Sequence, residues 1–194
     1  MNINIENLYN RNIDIDNRTI FFMPWQAAEP KEDQWEVSDL SAQNLVKGLY
    51  LLSMKATTPI TIIWNSHGGT WEAGMAIYDL IKKIPNEVIM ECYGRVRSMG
   101  TIILQACDER LLSPNCQFMI HYGESTIEGE SRNVIADALE DNKCNKIMEK
   151  IYLKRIREKK PGTKLKELRH NMQANSWLEP KGAISMGLAD GIIT

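Results

Sequence analysis

Two residues with chemical potential stand at the edges of apolar segments in the middle of this chain. Ser98 lies in Gly94-Arg95-Val96-Arg97-Ser98-Met99-Gly100, and His121 closes Phe118-Met119-Ile120-His121 about twenty residues further on. A serine hydroxyl is a weak nucleophile until a neighbouring base takes its proton, and histidine is the side chain that titrates near neutrality. The pair therefore points to acyl-transfer chemistry. A serine in front of an apolar helical segment has a second use, as a cap that satisfies an orphan backbone N–H. The local sequence leaves both uses open.

Upstream, Ile63-Trp64-Asn65-Ser66-His67-Gly68-Gly69 ends a β-branched run and precedes an amphipathic segment, which predicts a strand, a glycine turn and a helix start. Two adjacent glycines let the backbone come close to a ligand and turn N–H groups outward, as is needed to hold an oxyanion developing on a carbonyl. The same dipeptide also makes an ordinary tight turn. His67 is a further candidate base, but its place within this turn fits a loop residue or substrate contact better.

These segments together carry a resemblance. Asn65-Ser66-x-Gly68-Gly69, then Ala73-Gly74-Met75-Ala76-Ile77-Tyr78-Asp79, then Ser98-Met99-Gly100, then Met119-Ile120-His121 resemble, in order and spacing, the proteolytic subunit of the Clp protease. The resemblance runs with few gaps from about Thr61 to the C-terminus and more loosely back to about Leu8. It implies a serine endopeptidase with Ser98 as nucleophile and His121 as general base. The backbone N–H groups of Gly69 and Met99 would form the oxyanion hole, and Gly68 and His67 would touch substrate.

The family's third group is an aspartate just before an aromatic-Leu pair. Aligned on Trp177-Leu178, that position is Asn175, and no carboxylate occurs between Leu168 and Leu178. An asparagine can orient an imidazole but brings no charge to stabilise its cation; in a serine protease the aspartate-to-asparagine exchange lowers turnover by about 10⁴. Four readings follow: a slow site, a site that recruits Glu124, Glu179 or Asp190, a site that forms only when a partner docks, or a weakly active or inactive subunit with an assembly role. A specialised phage-type processing peptidase would use the same chemistry. A crotonase-type acyl-thioester enzyme ranks lower, because serine and histidine are not expected together at these positions. Three smaller departures are His67, where the family usually has proline, Arg97, where a small residue is common, and Ala174, where an arginine often links assembly to the active site.

Composition agrees with an intracellular globular protein. The 194 residues fit one domain, residues 1–194, and the 23 basic and 25 acidic side chains leave a formal charge of −2, which argues against a general nucleic-acid binder. The basic stretch from Lys150 to Lys160 is diluted by Glu149 and Glu158 and reads as a solvated helix face. Cys92, Cys107, Cys116 and Cys144 have no metal-ligand spacing and read as reduced thiols. No signal peptide or membrane span is apparent, so a cytoplasmic protein is expected.

The chain alternates strand-like and helix-like segments. Asn4–Phe22 reads as one or two short strands and residues 25–35 as a polar loop. Leu45, Leu49 and Leu52 mark a helix capped by Asp39 or Ser41, and Ala73 to Ile84 marks a second. Strands are predicted at Thr61–Trp64, Glu87–Tyr93 and Gln117–His121, with an apolar helix at Ser98–Ala106. Short β–α–β spacing requires parallel pairing through right-handed crossovers, an α/β architecture with its chemistry at the strands' carboxyl ends. The resemblance makes this a crotonase-like spiral of βαβ units with a projecting helical handle over about residues 123–160. Glu128-Gly129-Glu130 resembles the family's handle strand, and a polar turn is expected at Asp141-Asn142-Lys143. The resemblance further implies polypeptide substrates, a homo-oligomer of stacked heptameric rings and an ATP-driven unfoldase partner, with no metal or organic cofactor.

Overall fold

A computed structural model describes residues 12–23, 36–124 and 126–194. The expected strand at residues 4–11 and the polar loop at 25–35 lie outside them. A hairpin of β1 (Ile13–Asp14) and β2 (Thr19–Phe22) opens the main sheet, and β3 (Glu36–Val37) leads into α1 (Asp39–Lys55). The helix is capped by Ser38, not Asp39 or Ser41. Ser38 accepts from the Ser41 N–H, while the Ser41 hydroxyl accepts from the Ser38 N–H, a reciprocal box that satisfies two orphan donors at once.

Next come β4 (Ile60–Ser66), β5 (Gly68–Gly69), α2 (Trp71–Lys83) and β6 (Val88–Arg97). Along β4, Ile60, Ile62, Trp64 and Ser66 are buried and alternate with partly exposed residues, the period-two pattern of a strand with one fully covered face. Leu45, Leu49 and Leu52 of α1 are buried, as are Ala73, Ile77 and Ile81 of α2, and the two helices pack on each other and on the sheet. The order β1-β2-β4-β6-β7-β10 is parallel from β2 onward, where β7 is Glu109–Leu112 and β10 is Gly191–Ile192.

β6 is the pivot of the fold. Its first half, Ile89–Cys92, pairs with β7, and its last three residues, Arg95–Arg97, pair with β8 (Gln117–Ile120). The sheet thus turns out of plane at the end of β6, and β9 (Ser176–Leu178) adds antiparallel to β8. In the angle sits α3 (Met99–Leu104), every residue of which is buried. It is shorter than the expected Ser98–Ala106 helix.

α4 (Ser131–Lys159) runs 29 residues without a break, about 43 Å at the usual rise. Its C-terminal half buries Met148, Tyr152, Leu153 and Ile156, whereas Ile135, Leu139 and Ile147 are exposed, so the N-terminal half projects as a handle. The polar turn expected at Asp141-Asn142-Lys143 is instead continuous helix: Asn142 and Lys143 are exposed and Asp141 only partly buried, so they interrupt no packed stripe. Nor is Glu128-Gly129-Glu130 a strand, since no strand among the described residues pairs with it and Gly129 adopts a φ of +140°. α5 (Leu165–Asn171) and α6 (Pro180–Met186) flank β9, and β10 follows them.

Candidate active site

Ser98 sits at the strand-to-helix turn between β6 and α3 with φ +49° and ψ −125°, a conformation that L-residues rarely adopt. Three bonds hold it there. The Ser98 N–H donates to the Met119 carbonyl of β8 at 2.9 Å, and the Ser98 carbonyl accepts from the Thr101 N–H at 2.9 Å and the Thr101 hydroxyl at 2.6 Å. Tyr152 of α4, fully buried, bonds the same Thr101 hydroxyl at 2.6 Å. Because Thr101 gives its proton to Ser98, Tyr152 must be the donor, and burial pushes its phenol far above the ordinary range, so it keeps the proton it donates.

This geometry separates the two uses of Ser98. Although it occupies the N-cap position of α3, its side chain makes no capping bond; the hydroxyl oxygen lies 2.8 Å from His121 Nε2. A strained turn that aims a hydroxyl at an imidazole is the arrangement of an activated nucleophile. His121 follows the last residue of β8, so the β6–β8 pairing that holds Ser98 also brings the ring to it.

Where a glycine turn was expected, β5 pairs parallel with β3 and lies against this elbow. Gly68 has a φ of +108°, and a Cβ there would come within 2.7 Å of Ser98 Cβ and 2.9 Å of the Arg97 carbonyl. Gly69 has a φ of +154°, with Val37 backbone 2.3 Å from where its Cβ would be. Both positions therefore exclude any side chain. Gly68 donates its N–H to Ser66 Oγ at 3.1 Å. Gly69 lines the same cleft as Ser98, His121 and Met99. Met99 is the first residue of α3, where a helix has no preceding turn to take its N–H. Neither Gly68 nor the half-buried His67 lines that cleft.

The cleft has a volume of about 300 Å³ and mixes apolar walls (Trp71, Ile102, Met148) with the carboxylates Glu72, Glu124, Glu140 and Asp141. Cys144 also lines it, but desolvation and then the nearby Glu140 and Asp141 raise its pKa, which keeps the thiol protonated and a poor rival nucleophile. Asn175 is exposed on the turn between α5 and β9, and no hydrogen bond joins its side chain to His121. Of the alternative acids, Asp190 is held by Arg110 through Oδ1 at 2.5 Å and Oδ2 at 2.8 Å, and Glu179 is exposed beside a separate cavity that includes Trp177 and Pro180. Glu124 lines the cleft.

The family model described as Clp protease matches residues 34–194. This chain belongs to the Clp protease family. A curated relative, the ATP-dependent Clp protease proteolytic subunit of Mesostigma viride, is 27% identical over 148 residues, covering 75% of this chain; the chain spans 62% of that relative's length. A solved structure of a mutant ClpP1 from Listeria monocytogenes superposes with a TM-score of 0.75 at 27% identity, covering 92% of each chain. The α/β spiral is thus the crotonase-like fold of ClpP.

Beside these Clp-family features stands a group that sequence reasoning missed. Glu149 of α4 is 5% exposed and accepts from the Tyr122 hydroxyl at 2.5 Å and from Arg169 Nε and Nη2 at 2.7 and 3.0 Å. The bonds from Arg169 hold its carboxyl below the ordinary range despite burial, while desolvation followed by the Glu149 bond pushes the Tyr122 phenol up to about 12. The available signal was periodicity: Glu149 stands four residues before Leu153, on the side of α4 that the core covers. Arg97, noted as unusual, lies over the Trp177 ring at 4.7 Å and also bonds Gln117, so it ties the end of β6 to β9.

Proposed function

We propose that this Clp-family chain is a serine endopeptidase. Ser98 attacks the peptide carbonyl as His121 Nε2 takes its proton. The N–H groups of Gly69 and Met99 then bind the oxyanion, and His121 returns the proton to the leaving amine. Water releases the acyl group by the same steps in reverse. The observation that carries this reading is the 2.8 Å contact between Ser98 Oγ and His121 Nε2, made by a serine whose backbone is strained and whose hydroxyl caps nothing.

The substrates are polypeptides. Stacked rings of this chain and an ATP-driven unfoldase complete the assembly, as the family and the name of the Mesostigma relative suggest. A second reading, a subunit of low activity with an assembly role, is favoured by the exposed Asn175 in place of a buried carboxylate. Labelling with a fluorophosphonate probe, wild type against Ser98→Ala, distinguishes the two when oligomeric mass is measured on the same samples. Peptidase chemistry requires label on wild type alone; an unlabelled wild type that still forms rings supports the assembly role.

A further inference from the structure

We propose that Glu149 is a positioning residue for His121, acting through the Tyr122 hydroxyl; the inference rests on the peptidase reading above. The main chain on the N-terminal side of His121 is fixed, because Met119 accepts the Ser98 N–H and Ile120 pairs with Ser176 of β9. On the other side the ladder has ended, and residues 121–124 have no regular secondary structure. The next fixed point is the Tyr122 hydroxyl on Glu149. His121 is therefore held between a sheet on one side and a side-chain tether on the other. No hydrogen bond to Asn175 supplies the orientation that a third group normally would.

The other end of the tether sits on the walls of the site. Met148, the residue before Glu149, lines the cleft with Ser98 and His121. Arg169 belongs to α5, which leads into the turn that carries Asn175. One carboxylate thus joins three things: the segment after the base, the handle helix that walls the cleft, and the helix before the third-group position. A carboxylate this deeply buried needs its partners, and removing one leaves the others unmatched.

The test uses the full-length assembled protein. Tyr122→Phe keeps the ring and removes the tether. The expected result is a fall in kcat of about ten- to a hundred-fold, as for a small misplacement of a catalytic group, with KM and oligomeric mass unchanged. The rate of Ser98 labelling by fluorophosphonate falls by the same factor. Glu149→Gln gives a similar fall, and the double variant is no worse than the worse single one, because both cut one connection. Asp190→Asn, which takes the charged partner from the buried Arg110 away from the cleft, lowers the melting temperature without this loss of kcat. In samples with ¹⁵N-labelled histidine, Tyr122→Phe shifts or broadens the His121 ring signals but not those of His67 and His170.

Labelling of Tyr122→Phe at the wild-type rate overturns the proposal and leaves the peptidase reading intact. If wild type itself does not label, the peptidase reading fails; unaltered His121 signals in Tyr122→Phe then overturn the positioning role as well.

Discussion

His121 and Asn175 each stand one residue beyond the last Cα pair of the antiparallel β8–β9 ladder. The register runs Phe118 with Leu178, Met119 with Trp177 and Ile120 with Ser176, and the next step along it is His121 with Asn175. Extending that register by one step would set residue 175 across from the base, although the asparagine itself is exposed and makes no bond to the ring.

Asn175→Asp is therefore expected to raise turnover, since a carboxylate offsets the charge formed on His121 when Ser98 loses its proton. The gain reaches about 10⁴ if the geometry is already correct, with little change in oligomeric mass. Steady-state hydrolysis of a small peptide ester measures it. Equal activity of wild type, Asn175→Asp and Asn175→Ala would remove residue 175 from the mechanism and turn attention to Glu124, which lines the cleft.

Gly68→Ala tests whether β5 supports the nucleophile. Its Cβ would enter a positive-φ position against Ser98 Cβ and the Arg97 carbonyl, neither of which is a flexible side-chain end. The backbone must shift, at about 1–3 kcal/mol for the strained conformation. The melting temperature should fall, and fluorophosphonate labelling of Ser98 should slow more than global stability alone would require. Wild-type labelling in a destabilised variant would reduce Gly68 to a packing residue.

The parts of this molecule that were legible in the sequence depend on periodicity and local turn chemistry. Thr61 to Trp64 and the Leu45-Leu49-Leu52 stripe follow from side-chain direction along strand and helix, whereas the expected Gly-Gly turn is a short strand because Glu36–Val37 pairs with it. What was not legible depends on distant partners. Ser98 reads equally as a cap until β8 delivers His121 to it, and Glu149 reads as one more polar residue of a helix until Tyr122 and Arg169 arrive from other elements. The continuous helix through Asp141-Asn142-Lys143 was missed for a different reason: an apolar stripe records packing, and a projecting helix has little to pack on within its own chain.

Acid stability provides a test of the fold independent of catalysis. Burial would raise the pKa of Asp190, but the bonds and charge of Arg110 outweigh it and hold the carboxyl below its ordinary 3.8. A depressed folded-state pKa contributes stability in full above the unfolded value, and the contribution is lost as pH falls through the folded one. Asp190→Asn should thus lower the melting temperature near neutrality, because the buried Arg110 loses its charged partner. The loss is smaller than a fully buried pair would cost, since the Asp190 side chain is 39% exposed. The gap to wild type should narrow as pH drops below about 3.8. A gap that stays constant from pH 7 to pH 2 would show that the pair is not charged in the folded state.

Assembly is tested on the handle. Ile135 and Leu139 of α4 are 62% and 59% exposed in the single chain, and with Ile147 they put three large apolar side chains on the surface of one projecting helix. A stripe of this kind is costly in water and is the expected mark of a surface that another copy covers. If the handles join two rings, light scattering should give a mass above that of a heptamer for wild type. Leu139→Glu should reduce it to that of single rings, because a charge placed in an apolar contact has no partner there. Fluorophosphonate labelling of single rings would then show whether the Ser98–His121 geometry survives without the second ring. A wild type that stays monomeric over a broad concentration range would exclude the ring assembly, and a Leu139→Glu variant of unchanged mass would place the ring contact elsewhere than on this stripe.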